Sequence, residues 1–321
     1  MTVIKGDVMT IKDDFYQTFQ LESSNIRGRI VRLGGVLDEI LEAHDYRLPV
    51  AHLVAETITL SLSLSSMLKY EGIFTLQAQG DGPLRMLVSD VTSDGVVRAC
   101  ASYDEERFQT SREQISALKT TESSQNHLAQ YLGKGYIAFT VDQGKHTDRY
   151  QGIVELQGSS MVDCVQHYFA QSEQIGTGIK MAVGKRGKHW RASAIMLQHM
   201  PEDEMNPEAG HGNLKEDDWR RAMILLDSCT EDEFLDPELD SDALLMRLFH
   251  EEGVRVYERH KVTKGCRCDT QRVKNILYTM SEDDIKHMSV EGTIEMTCEF
   301  CSKIYSFDEK KILSKIKKSE S

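Results

Sequence analysis

Four of the chain's seven cysteines form two close pairs near the C-terminus, Cys266-Arg267-Cys268 and Cys298-Glu299-Phe300-Cys301, with 29 residues between them. Two close thiol pairs joined by a short spacer are the pattern of a tetrahedral four-thiolate cage for zinc. Cys-x-x-Cys is the usual half of such a cage. Cys-x-Cys is tighter, and its two sulfurs reach one ion only from an extended or turn-like backbone. The same residues would also serve as two disulfides or as unrelated thiols, and spacing alone leaves those readings open. Cys100 and Cys164 read as packed core thiols, and Cys229 stands apart in an acidic segment.

No enzyme constellation accompanies the cysteines. The chain has no Gly-x-Ser-x-Gly elbow and no P-loop, and His250-Glu251-Glu252 lacks the second histidine of a zinc-protease helix. The eleven histidines form no ligand-spaced group, and His44 before Asp45 reads as a cap or surface contact. A non-enzyme is expected. One alternative is a thiol–disulfide oxidoreductase using Cys298 and Cys301, although no thioredoxin-like βαβ context surrounds them. Another is a nucleic-acid-binding zinc module, because the residues from Arg255 onward carry 14 basic against 11 acidic side chains. The net charge of −13 opposes general affinity for nucleic acid or an anionic membrane.

The elements that must position the cysteines follow from periodicity. Residues 23–33 read as a strand or arm; Val36, Leu37, Ile40 and Leu41 have helical spacing; Pro49 opens a buried amphipathic helix through Leu68. That apolar stretch contains Glu56 and several serines, so a membrane span is not expected. Alternation marks Phe74–Gln79, Leu84–Ser89 and Val96–Cys100 as strands around Gly80-Asp81-Gly82-Pro83 and Asp94-Gly95 turns. Residues 104–127 read as loop with a short helix, 137–141 and 150–156 as a hairpin, and 159–173 as a helix. Ile179–Val183 and Ala192–Leu197 bracket a Gly-Lys-Arg-Gly turn. Hairpins without βαβ alternation predict an α+β fold with an antiparallel sheet over residues 1–200.

Residues 201–255 differ in kind. From Pro201 to Glu252 the chain carries 17 acidic and 4 basic side chains, the whole net charge of the protein. Three of the five prolines fall here, yet Trp219, Ala222, Met223 and Leu226, then Leu244, Leu245, Leu248 and Phe249, keep helical spacing. Short helices with repelling outer faces are marginal without tertiary packing, so this helical linker is expected to be ordered only while docked. Residues 256–321 form the cysteine-bearing domain, opening with a strand-like Val256-Tyr257. Helices are expected at 271–280 and 281–288, with Ser281 and Asp284 as a capping box, and a strand at 292–296. A domain of this size cannot bury much surface unaided, and a metal is the expected staple. Residues 1–14 contain no apolar secretory stretch, so the chain reads as cytoplasmic, where paired cysteines bind metal or sense oxidants.

Several motifs together resemble one family. They are Arg27-Gly28-Arg29, His44-Asp45-Tyr46, Leu76-Gln77-Ala78-Gln79-Gly80-Asp81-Gly82-Pro83 and Gly133-Lys134-Gly135. They continue with Arg149-Tyr150-Gln151-Gly152, Tyr168-Phe169-x-x-Ser172-Glu173-Gln174, Arg247-Leu248-Phe249-His250-Glu251-Glu252 and the cysteine tetrad. Taken in order they are similar to the redox-regulated heat-shock chaperones of about 33 kDa, over nearly the whole chain. Glu299, Cys229 and the basic tail Lys310–Lys318 depart from that family's pattern.

The resemblance implies an α+β core, a helical linker and a small C-terminal zinc-binding domain. It implies one Zn2+ per chain on Cys266, Cys268, Cys298 and Cys301 in an inactive reduced state. It further implies oxidation to Cys266–Cys268 and Cys298–Cys301 disulfides with zinc release and linker unfolding. The active protein then holds unfolding clients without ATP, as a homodimer, with neither nucleic acid nor membrane as partner. Lys264, Arg267, Arg272 and Lys303 lie close in sequence to the cysteines and would favour thiolate.

Overall fold

The computed structural model describes residues 12–117, 128–144, 149–199 and 212–319. The expected domain end at Met200, the acidic run Glu202–Glu204, the prolines Pro201 and Pro207 and the stretch 118–127 lie outside the described residues. So do the first eleven residues. The chain divides into two compact units, Met1–Glu42 with Tyr46–Lys264, and Ala43–Asp45 with Gly265–Ser321.

The first unit is α+β and carries two sheets. One has the order β10 (Val254–Lys261), β1 (Phe15–Leu21), β2 (Ile26–Leu33), β9 (His189–His199), β8 (Thr177–Arg186), all antiparallel. The other has the order β11 (Thr263–Lys264), β5 (Val96–Tyr103), β4 (Leu84–Thr92), β3 (Ile73–Gly80), β6 (Gly135–Asp142), β7 (Tyr150–Glu155). Only the β11–β5 pair in it is parallel. Strand β1 was not anticipated from the sequence, although Phe15, Gln17, Phe19 and Leu21 alternate into the interior. Residues 254–261, which the sequence groups with the cysteines, pair with β1 in this unit.

Helix α1 (Gly35–Leu41) is short, and α2 (Leu48–Ser65) opens at Pro49 as expected. Its burial, expected from the sequence, extends right around the helix. Helix α2 packs against strands of both sheets and is buried on every side from Thr57 to Ser65. Its threonines and Ser63 are satisfied by the helix itself: Thr57 donates to Leu53 O, Thr59 to Ala55 O and Ser63 to Thr59 O. The helix is long and apolar enough to cross a membrane by composition, with mean hydropathy 1.3, but 78% of it is buried inside the unit.

Two of the motifs have a steric cause. A Cβ on Gly28 would lie 2.0 Å from Phe19 Cζ, so β2 can pass Phe19 only as glycine. A Cβ on Gly80 would lie 1.9 Å from Leu132 O, while Asp81 Oδ1 accepts from Lys134 N at 2.8 Å. The Gly80–Pro83 and Gly133–Gly135 motifs are therefore two halves of one interlocked turn. The β8–β9 turn is centred on Gly187 (φ +63°) and Lys188, beyond the strand residues Gly184–Arg186.

Helices α3 (Glu105–Ala117), α4 (Leu128–Leu132) and α5 (Met161–Tyr168), the last continued by one π turn to Glu173, complete the core. The linker then contributes α6 (Gly212–Asp227), α7 (Glu231–Leu235) and α8 (Ser241–Phe249). Ala222, Leu226, Phe234, Leu235, Leu244, Leu245, Leu248 and Phe249 are buried against Phe19, Leu21, Ile26, Ile30, Ile195 and Leu197 of the first sheet. Cys229 is buried in the same cluster, and burial pushes its thiol up to about 11. The linker's acidic side faces out, with Glu216, Asp217, Glu231 and Asp232 exposed.

Candidate metal centre

The second unit holds helices α9 (Thr270–Leu277), α10 (Glu282–Met288) and α11 (Glu309–Ser319) beside an antiparallel sheet. Its strands are β12 (Ser289–Val290), β13 (Thr293–Thr297) and β14 (Ile304–Asp308). Val273, Leu277, Ile285, Ile294, Tyr305, Phe307, Ile312 and Ile316 are its buried core. Ser281 Oγ accepts from Asp284 N at 3.1 Å, as a cap should. The return contact to the Asp284 carboxylate comes from the Ser281 hydroxyl instead of its backbone N–H, so the box is half formed.

Cys266 and Cys268 lie in an irregular segment, residues 265–269, that ends where Asp269 caps α9 by accepting from Gln271 N and Arg272 N. A non-helical segment of this kind is what the one-residue spacer requires. Cys298 and Cys301 sit in the turn between β13 and β14. Cys298 N donates to Lys303 O at 2.9 Å, and Ser302 N donates back to Cys298 O at 2.8 Å. Ser302 closes that turn with φ +56°.

The four Sγ atoms all lie within 4.8 Å of one another. Cys266 Sγ is 3.7 Å from Cys298 Sγ, and Cys268 Sγ is 3.4 Å from Cys301 Sγ. A tetrahedron of sulfurs around zinc, with Zn–S near 2.3 Å, has edges of about 3.8 Å. The donor set is four soft sulfurs with no carboxylate, which suits zinc and excludes the hard-cation geometry of calcium or magnesium. These residues fit the metal, and Cys266, Cys268, Cys298 and Cys301 are the residues that could hold it.

The electrostatics divide the thiols. Burial raises the Cys266 thiol, but the Cys268 backbone N–H and the surrounding thiols outweigh it and bring it down to about 7. Burial pushes Cys298 up, and pushes Cys301 up to about 12 with the help of its neighbours. The Tyr305 hydroxyl donates to Cys268 Sγ at 3.2 Å, which stabilises negative charge on that sulfur. Tyr305 was not singled out from the sequence.

His44 was read as a cap or surface contact, and the structure places it otherwise. It belongs to the second unit, with Nε2 3.3 Å from Phe300 O and Nδ1 3.2 Å from Ser302 Oγ, bracing the turn that carries Cys298 and Cys301. Of the four basic residues near the cysteines, Lys303 lies over the Tyr305 ring at 5.1 Å. Arg272 donates to Arg267 O at 3.0 Å and pairs with Asp269. Lys264 instead donates to Glu39 O in the first unit. Cys100, Cys164 and Cys229 are buried in the first unit.

Comparison with known proteins bears on the same residues. The family profile described as Hsp33 protein matches residues 14–308. The chain is 37% identical over 315 residues to the 33 kDa chaperonin of Caulobacter vibrioides, covering 96% of this chain and 99% of that one. It is 34% identical over 297 residues to the 33 kDa chaperonin of Pseudomonas fluorescens, covering 92% and 91%. The crystal structure of the 33 kDa chaperonin from Thermotoga maritima superposes with a TM-score of 0.76 at 20% identity, over 96% of this chain and all of that one.

Proposed function

The chain belongs to the Hsp33 family of chaperones, and on that premise we propose that it is a redox-regulated, ATP-independent holdase. In this reading it is inactive when reduced, with one Zn2+ held by Cys266, Cys268, Cys298 and Cys301. The observation that carries the reading is the four Sγ atoms gathered within 4.8 Å in a unit with only a small apolar core. In this reading residues 1–200 with the strands at 254–264 are the core, 201–253 the metastable linker and 265–321 the redox switch, so the 201–255 and 256–321 bounds expected from the sequence shift by the strands that pair with the core sheets.

When bound, zinc supplies a cross-link between the two cysteine pairs and keeps the sulfurs as thiolates, the form oxidants attack. Peroxide takes two electrons from each pair: two thiolates, two protons and one H2O2 give a disulfide and two waters. The family pairing, Cys266–Cys268 and Cys298–Cys301, lies within each motif, whereas the 3.7 and 3.4 Å sulfur contacts run between motifs. Peptide mapping of the oxidised protein separates the two pairings. A bridge across a single residue is strained, which makes it reducible and the switch reversible.

Sulfurs committed to disulfides no longer supply the charge that holds the metal. Without it the switch domain unfolds, and the linker helices, which depend on docking, are released. Their apolar faces and the sheet face they cover then meet unfolding proteins, and the acidic outer face keeps the complex soluble. The oxidised protein acts as a homodimer in the cytoplasm, without catalytic turnover and without a nucleic-acid or membrane partner.

The test couples zinc release, thiol counting and suppression of client aggregation after peroxide at elevated temperature. Zinc loss together with suppressed aggregation is the expected result. Retained zinc removes the switch, and aggregation despite zinc loss removes the holdase.

A further inference from the structure

Arg32 on β2 is among the largest fully buried side chains of the first unit, 2% exposed. Ile26, Gly28, Ile30 and Arg32 alternate along β2, and Ile26 and Ile30 pack in the cluster completed by the linker helices. Arg32 Nη1 donates to Leu239 O, and Nη2 donates to Asp236 O at 2.7 Å. Both acceptors are main-chain carbonyls of the turn between α7 and α8. Nε lies 3.5 Å from Asp13, whose carboxylate is shared with Arg191 at 2.6 Å.

Arg259 of β10 also holds the linker, donating to Asp240 Oδ2 at 3.2 Å and to Ser241 Oγ at 2.9 Å, and Ser23 Oγ donates to the buried Glu252 at 2.8 Å, but their acceptors are side chains. Further ties lie at the surface. Arg186 meets Asp232, which is 90% exposed, and Lys180 donates to Asp227 O at the surface. Such exposed contacts exchange readily with water. A guanidinium sealed from water has five donors and tolerates burial only while they are occupied. Taking away its acceptors while it stays buried is the costly event. Two of those acceptors are offered by the docked turn alone.

We propose that Arg32 is the positioning residue that clamps the Asp236–Leu239 turn to the core sheet and so sets how readily the linker is released. This rests on the reading of the linker as the released element. The two carbonyls are reached by the two arms of one planar fork, so the turn is held or lost as a unit. Lysine, a point charge, cannot span both carbonyls in this way.

The chain's two tryptophans give separate reporters. Trp190 is buried in the core, and Trp219 on α6 stands 6.1 Å from the His199 ring. Each is isolated by Trp190→Phe or Trp219→Phe in the full-length, reduced, zinc-loaded protein. Arg32→Met is expected to red-shift Trp219 emission and to raise the rate of limited proteolysis within residues 212–252 by tenfold or more. Trp190 emission and zinc content should not change. Arg32→Lys should fall between Met and wild type, and Arg186→Ala should match wild type.

Wild-type proteolysis and Trp219 emission in Arg32→Met would overturn the proposal. So would an equal shift at Trp190, because Arg32 would then serve the core fold and not the clamp. If oxidised wild-type protein fails to suppress aggregation while these readouts move as expected, the holdase reading fails and the clamp stands.

Discussion

The Tyr305 hydroxyl donates a hydrogen bond to Cys268 Sγ at 3.2 Å. The ring is buried, so Phe at this position keeps the packing and removes only the donor. Groups that hydrogen-bond a metal ligand tune its affinity by roughly 10–100-fold. Tyr305→Phe is expected to weaken zinc binding about tenfold. Competition with a chromogenic chelator measures this, and unchanged affinity would show that the hydroxyl is only a packing neighbour.

Zinc removal from the reduced protein should unfold the second unit and leave the core sheets folded. Four-thiolate zinc contributes about 10–16 kcal/mol in small domains. A core of eight buried side chains supplies at most a few kcal/mol. Chelation is therefore expected to abolish amide-exchange protection in α9, α10 and β13 while β2 and β9 stay protected. Persistent protection of α9–α10 would mean that the fold does not depend on the metal.

Glu56 on α2 predicts a pH dependence. Burial pushes its carboxyl up from 4.5 to about 7 and depresses His52, 3.5 Å away, so the pair is favoured as two neutral groups. A raised folded-state value means that the stabilisation is complete below pH 4.5 and is lost as pH rises through 7. Glu56 by itself costs the first unit up to about 3 kcal/mol over that interval, offset in part by His52, whose lowered value penalises low pH and is relieved as pH rises through 6.5. Glu56→Gln should flatten the profile, and denaturant titrations of both proteins at pH 5 and pH 8 decide it.

Gly28→Ala places a Cβ 2.0 Å from Phe19 Cζ. Overpacking of this kind costs about 1–3 kcal/mol. Phe19→Leu should relieve it, so the double variant is expected to be more stable than the sum of the single variants. Additive free energies in a double-mutant cycle would count against the contact.

The residue pattern exposed most of the elements because each carries a local signal. Val36–Leu41, the β3–β4 alternation and the linker's apolar spacing all identify elements that the structure contains. What local pattern could not provide was partnership. Strand β1 alternates Phe, Gln, Phe and Leu, and one polar member was enough to hide it. Helix α2 was legible as a buried helix, but local pattern did not reveal that its threonines and serines bond back to their own backbone between two sheets. The tetrad was legible because thiol spacing is itself the signal. His44 and Tyr305 were not, since each reaches the cysteine segments from elsewhere in the sequence. The motifs around Gly80 and Gly133 became intelligible only once their loops were seen to meet.

The linker begins after His199 and ends before Val254, and both residues lie in the same row of one sheet. His199 pairs with Ile26, Ile26 with Leu21, and Leu21 with Val254. Residues 200–253 thus leave and return across three strand spacings, about 14 Å. If it is released as proposed, a segment anchored at both ends cannot diffuse away. Its loop-closure entropy is already set by β9 and β10, so redocking is a first-order event whose rate does not depend on protein concentration. In a crowd of unfolded chains, the covered face has one competitor that never leaves the neighbourhood.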